Sequence, residues 1–270
     1  VGRVLGPALR AAPRPERRPG RPLRLDALSG LLVTGGAGYL GSELRRQAPD
    51  ALATFRQTLD VNDGDAVMRY FLKHGPAAVV HTAYAMGDRE TNVRGARNVA
   101  LAAHRVGARL IHLSTDLVFD GEHGAPYTEA DEPRPVMEYG QQKLEAEQLV
   151  RRAHPDALIV RTSLLIGPPD GQQEALARRD DVTFFTDEIR SPIRVADLAA
   201  ALLELAGTEL AGVLHVAGPE ALTRAELAAR LRGGPVRTGP GPRSGRARNV
   251  ALDSSKAVGI LKTRIGRTAY

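Results

Sequence analysis

The sequence contains no cysteine and no tryptophan, and only five phenylalanines and six tyrosines among 270 residues. Without cysteine there is no disulfide and no thiolate metal site, and a reducing compartment suits the chain. No apolar run approaches the roughly 20 residues that cross a bilayer. A soluble, cytoplasmic protein with no membrane partner and no metal site is therefore expected. Internal repeats are also lacking.

Acidic residues are scarce in one place only. Residues 1–24 hold seven arginines (Arg3, Arg10, Arg14, Arg17, Arg18, Arg21 and Arg24) against a single acid, Glu16, so seven minus one accounts for the whole net charge of +6. The remainder is balanced, and the excess charge is no argument for a nucleic-acid partner. Residues 1–28 are Arg/Pro-rich without apolar periodicity, which predicts a disordered leader. Three explanations of it compete: an extension upstream of the translation start, a solvated tail, or a basic arm for acidic surfaces. The first is favoured because the sequence starts at Val1 and the leader carries no interleaved aromatics.

Beyond the leader, glycine is concentrated at telling places. The apolar run 31–33 ends in Thr34-Gly35-Gly36-Ala37-Gly38-Tyr39-Leu40-Gly41 and passes into Ser42-Glu43-Leu44. Strand, glycine turn and helix in that order form the first step of a dinucleotide-binding sheet. Glycines let the backbone approach a pyrophosphate, whose charge then sits at a helix N-terminus. A second strand is predicted over 51–55. An NAD site would place an acid at its end, whereas Thr54, Phe55 and Arg56 stand there and the first acid is Asp60. Arg56 would suit a 2'-phosphate, so NADPH is the expected cofactor, with NADH as the alternative.

The alternation continues with helices over 66–74, capped by Asp63, and 91–106, and with strands over 77–80 and 110–113. Then come a loop over 124–135, a helix carrying Tyr139, a strand over 157–161, a loop over 167–171, a helix over 195–205, a strand over 213–216 and a helix over 224–231. The Gly/Pro/Arg run 233–248 is expected to be flexible. This pattern predicts an α/β fold, a Rossmann-like doubly wound parallel sheet with a small C-terminal substrate-binding lobe. The expected division is 29–165 for the nucleotide-binding domain and 166–270 for the lobe, interleaved with it.

Tyr139 and Lys143 are four residues apart and share a helix face. Strand 110–113 leads into Ser114-Thr115-Asp116 at the sheet edge where ligands bind, 24 positions before Tyr139. Thr115 would hydrogen-bond a substrate carbonyl and Tyr139 would protonate its oxygen. Lys143 would favour phenolate and draw the phenol pKa, ordinarily about 10, toward the working pH.

With these residues the sequence resembles the extended short-chain dehydrogenase/reductase family, and within it the dTDP-4-dehydrorhamnose reductase branch. The resemblance rests on residues 34–41, Leu59-Asp60-Val61, His81-Thr82-Ala83-Tyr84, Asn92, the run 114–121, Pro126-Tyr127-Thr128-Glu129, Tyr139-Gly140-x-x-Lys143, Arg161-Thr162-Ser163 and Ser191-Pro192-Ile193. It implies a pyrophosphate at Gly35, Gly38, Tyr39 and Leu40, and Asp60 and Val61 near the adenine. Ala83 and Tyr84 would line the cofactor, Asn92 would support the site from its helix, and Arg190 or Arg194 would be available to a substrate phosphate. The implied activity is NAD(P)H-dependent reduction of a 4-keto group on a nucleotide-linked deoxysugar, with a homodimer as one assembly open to it. Leu117, where the 4,6-dehydratases have an acid, argues against dehydration. Leu117 and Leu164, where the reductases usually have tyrosine and tryptophan, leave the sugar open. A nucleotide-sugar epimerase and a non-catalytic NADP-binding regulatory subunit are the alternatives.

Overall fold

A computed structural model of the chain describes residues 30–168, 171–242 and 244–268. The leader expected over 1–28 lies outside the described residues. The first half alternates β1 (Leu31–Thr34), α1 (Tyr39–Gln47), β2 (Leu52–Thr54), α2 (Gly64–His74), β3 (Ala78–His81), α3 (Ala96–Val106), β4 (Arg109–Thr115), α4 (Glu138–Ala153) and β5 (Leu158–Thr162). The second half contributes β6 (Leu165–Ile166), α5 (Gln172–Ala177), β7 (Phe184–Phe185), β8 (Ile189–Arg190), β9 (Ile193–Arg194), α6 (Val195–Ala206), β10 (Gly212–His215), β11 (Leu222–Thr223), α7 (Arg224–Arg232), β12 (Thr238–Gly239) and α8 (Ser255–Ile260).

Six of these strands form one parallel sheet in the order β10-β5-β4-β3-β1-β2. Side chains alternate along each strand, so its two faces feed two cores. Leu31 and Val33 join α1 and α6 through Leu44, Leu198 and Leu202. Leu32, Val79 and Leu110 join α2, α3 and α4 through Phe71, Val99 and Val150. Both faces are covered, which is why β1, β3, β4 and β5 are buried throughout. The order reverses between β1 and β3, and ligands of such sheets bind beyond the strand ends at that point.

Local signals explain the boundaries. Asp63 caps α2, its carboxylate accepting from Ala66 N at 2.9 Å. Gly75 and Gly107 end α2 and α3 in the left-handed region, at φ of 52° and 70°. Thr223 and Glu226 form a reciprocal capping box at the start of α7. The helix expected over 91–106 begins as a π-helical turn, Glu90–Gly95, which turns Thr91, Asn92, Val93 and Gly95 all inward.

The second half departs most from expectation. After β5 the chain makes three two-stranded pairings, β6 with β9, β7 with β12 and β8 with β11, while α6 and β10 rejoin the main sheet. The run 233–248 is not simply flexible. β12 pairs with β7, and Arg246 lies 5.1 Å above the Phe185 ring while bonding Asp187 at 2.5 Å. Cation–π and ion-pair contacts of this kind carry no periodicity, so composition alone mistakes them for a linker. Among the described residues no helix is long and apolar enough to cross a membrane.

Candidate active site

The glycine turn folds as it does because side chains do not fit. Gly35 has φ of 75° and lies against the Ala83 backbone, where a Cβ would come within 2.7 Å. A Cβ on Gly41 would collide with the Gly35 carbonyl oxygen. The turn therefore presents bare backbone, and α1 starts at Gly38 with no side-chain cap and no acid in its first turn. Unpaired N–H groups at such a start suit an anionic phosphate. We expect Gly41→Ala to force the turn apart, lowering stability by about 1–3 kcal/mol as overpacking does and weakening dinucleotide binding; thermal unfolding with and without NADPH measures both.

Two clefts open side by side above the switch point. The first, of about 210 Å³, is lined by Gly35, Gly38, Phe55, Arg56, Asp60 and Val61. The second, of about 460 Å³, is lined by Tyr39 and Leu40 on one side and by Thr115, Tyr139, Lys143 and Arg190 on the other. Thr82, Ala83 and Tyr84 border both. All the expected cofactor residues except Asn92 thus line one or both of these two adjoining clefts. Asn92 lies behind them. Its amide accepts from Ala85 N at 3.1 Å and donates to Ala85 O and to Gln142 Oε1, both at 2.9 Å, so it fixes the loop after β3 against α4.

Thr115, Tyr139 and Lys143 all line the second cleft. Thr115 ends β4, accepts from Leu117 N at 3.2 Å and donates to Asp116 Oδ1 at 3.0 Å. Tyr139 and Lys143 stand one turn apart on α4, and Tyr84 sits edge-on to the Tyr139 ring at 5.3 Å. Lys143 is buried and donates from Nζ to Leu113 O. Burial pulls its pKa down to about 8, although Glu147 opposes the shift. Near it His81, stacked on His112 at 5.3 Å, is pushed to about 3 by burial and by the Lys143 charge, and His112 is lowered for the same reasons, so both rings stay neutral.

One electrostatic expectation fails. Lys143 does not draw the Tyr139 phenol toward neutrality in the unliganded protein. Burial, Tyr84 and Asp116 push the phenol well above its ordinary value, and the groups that oppose them are Arg190 and a hydrogen bond with Thr115. Tyr139 is therefore a protonated phenol at working pH, the form that can donate a proton to a ketone oxygen.

Arg190 is a residue whose role spacing alone leaves undecided. It is buried, with Nε 2.7 Å from Asp116 Oδ2 and Nη2 2.5 Å from Asp116 Oδ1, and it lines the second cleft. Ser163 Oγ donates to the same carboxylate at 2.5 Å. Arg194 is instead half-exposed beside Asp197 at 3.2 Å and borders neither cleft. Asp116 is fully engaged by this clamp, which adds to the case that Leu117 makes against elimination chemistry. Leu117 and Leu164 both line the second cleft. A third cavity, of about 260 Å³, shares Leu117 and Arg190 with the second and is lined also by Phe185, Glu188 and Arg246. No spacing in the sequence points to it, because its walls come from β7, β8 and the run beyond β12.

A doubly wound sheet whose switch point carries a glycine turn, with a Tyr–Lys pair on the helix beyond β4, defines the extended short-chain dehydrogenase/reductase class. Within it, the chain belongs to the family described as the RmlD substrate binding domain, whose model matches residues 29–233. The dTDP-4-dehydrorhamnose reductase of Mycobacterium tuberculosis (strain CDC 1551 / Oshkosh) is 38% identical over 218 residues, covering 72% of this chain and 71% of that protein. The dTDP-4-dehydrorhamnose reductase of Streptomyces griseus is 36% identical over 275 residues, covering 88% and 90%. Among solved structures, a dTDP-4-dehydrorhamnose reductase from Clostridium acetobutylicum superposes with a TM-score of 0.79 at 28% identity, covering 88% of this chain and 94% of that one. The Bacillus anthracis enzyme, solved with NADP, superposes at 0.77 with 27% identity, covering 87% and 94%.

Proposed function

We propose that this chain is an NADPH-dependent reductase of a 4-keto group on a nucleotide-linked deoxysugar. The observation that carries this is the convergence of Thr115, Tyr139, Lys143 and Arg190 on one cleft that shares Thr82, Ala83 and Tyr84 with the cleft at the glycine turn. The glycine turn fits the cofactor's pyrophosphate, because with no side chains at Gly35 and Gly41 it packs closely enough to present bare backbone at the start of α1. Bound NADPH would supply the hydride. Thr115 orients the carbonyl, Tyr139 delivers the proton to its oxygen, and Lys143 holds positive charge beside the phenol and the cofactor ribose. Arg190, positioned by Asp116, faces the substrate side. The third cavity, with the Arg246 guanidinium over Phe185, extends the site away from the cofactor and supports a substrate longer than a single sugar, its nucleotide end lying there. On this reading the chain divides at about residue 165 into a cofactor half and a substrate lobe.

Incubation with NADPH and a dTDP-4-keto-6-deoxyhexose tests it. NADPH consumption matched by formation of the 4-hydroxy sugar is expected. An inverted sugar without NADPH consumption would identify an epimerase, and unchanged ketone despite bound cofactor a non-catalytic subunit.

Lys143 gives the reaction a pH limit. Its charge is lost above about pH 8 in the free protein, so kcat/KM should decline there, since this parameter reports groups of the free enzyme. Lys143→Arg should move the decline to higher pH. The stability effect has the opposite sign. Between about 8 and the ordinary lysine value of 10.5 the unfolded chain holds the proton and the folded one does not. The penalty of burying this charge is present below that window and is lifted as pH rises through it.

A further inference from the structure

We infer that Glu147, on the buried face of α4, is a positioning residue for the reaction: it fastens the helix that carries Tyr139 and Lys143 to β4 and β5, and it supplies the counter-charge for Lys143. The inference rests on the role proposed above for Lys143 and concerns a carboxylate that does not itself line the second cleft.

Three bonds fix the carboxylate. Glu147 follows Lys143 by four residues and so shares its face of α4. Ser114 Oγ donates to its Oε1 at 2.5 Å, while Arg161 holds it with two arms of the guanidinium, Nε at 3.0 Å from Oε1 and Nη2 at 2.8 Å from Oε2. Ser114 and Arg161 are register partners on β4 and β5, so their side chains leave the sheet on the same face. Arg161 also packs on the Phe119 ring, its guanidinium carbon 5.2 Å from the ring centre. Glu147 and Arg161 are both buried. A single acid thereby joins the helix of Tyr139 and Lys143 to the residue before Thr115 and to the strand beside it.

Stability alone does not account for the pair. A buried ion pair returns little more than the cost of desolvating it, and apolar residues of similar volume would hold the helix as well. What apolar residues lack is a field. Lys143 is buried, donates to Leu113 O and forms no ion pair among the described residues. The titratable groups near it are uncharged: His81 on β3 and His112 on β4 are kept neutral, and Tyr139 on α4 is a protonated phenol. Asp116 and Arg190, which act on that phenol, are bound to each other. Glu147 is the charge that opposes burial at Lys143. Without it the ammonium would face desolvation and neutral rings with nothing to offset them.

The chain has four lysines, Lys73, Lys143, Lys256 and Lys262, which makes a direct test practical. In NMR spectra of the full chain carrying isotope-labelled lysine, with the resonance assigned through Lys143→Arg, Lys143 should titrate near pH 8 in the wild type. Glu147→Gln should lower that midpoint by about one pH unit, as loss of an opposite charge does, and the alkaline decline of kcat/KM should move down with it. Glu147→Asp keeps the charge and should stay close to the wild type in both, whatever it loses in Tm. Because Glu147→Gln strands the Arg161 cation, the double variant Glu147→Gln with Arg161→Met guards against loss of the fold and should show a shift of the same sign. A Lys143 midpoint at the wild-type value in the folded double variant would overturn the inference and leave the role of Lys143 standing. A midpoint that moves while the kcat/KM decline stays would overturn the role given to Lys143, and with it the part Glu147 plays in the reaction. Absence of ketone reduction by the wild type would overturn the proposed function, and the lysine titration would then still decide the counter-charge.

Discussion

Tyr139→Phe should lower ketone reduction by about 100- to 10,000-fold, the range of a positioned general acid, while NADPH binding stays essentially intact. Burial keeps the phenol protonated, so the variant removes the proton donor that lines the second cleft together with Thr115 and Lys143. The ring remains, and with it the edge contact to Tyr84 at 5.3 Å, so packing should change little. Single-turnover assays combined with a binding titration separate the two effects. Turnover near that of the wild type would refute the assignment of Tyr139, and parallel loss of NADPH binding would mean that the phenol acts on the cofactor's position.

Asp116→Ala should lower stability by about 3–5 kcal/mol, because it leaves the Arg190 cation buried without its partner. Both carboxylate oxygens are in use, at 2.7 and 2.5 Å from Arg190 and 2.5 Å from Ser163, and Asp116 itself is fully buried. For a domain of this size that corresponds to a fall in Tm of roughly 10 °C. The double variant Asp116→Ala with Arg190→Met should recover much of the loss, since the buried charge has gone, but should leave activity poor because Arg190 also lines the second cleft. Thermal unfolding of the wild type, the single and the double variant decides this. A single variant as stable as the wild type would show that Arg190 finds other partners, of which Glu188 at 3.6 Å is the nearest.

The parts of the site that were legible in the sequence are those held by one element or by the link between two. Gly35, Gly38 and Gly41 belong to a single turn, and Tyr139 and Lys143 to a single helix. Thr115 marks the end of a strand whose apolar run is plain. Asp63 announces a helix start through a local hydrogen bond. Local spacing dictates such features, so they survive translation into three dimensions. Arg190, Asp116 and Ser163 could not be joined that way, because β8, the turn after β4 and the end of β5 meet only once the second half folds back over the sheet. The run 233–248 was misread for the same reason, its order coming from Phe185, Asp187 and β7.

By itself, then, the sequence determined the alternation of strands and helices, the glycine turn and the Tyr139–Lys143 face, since backbone sterics and side-chain periodicity act over a few residues. The tertiary structure alone decided which arginine lines the second cleft, where a third cavity opens, and that the Tyr139 phenol is held protonated. Those outcomes depend on burial and on charges brought together from distant parts of the chain, and desolvation has no signature in residue order.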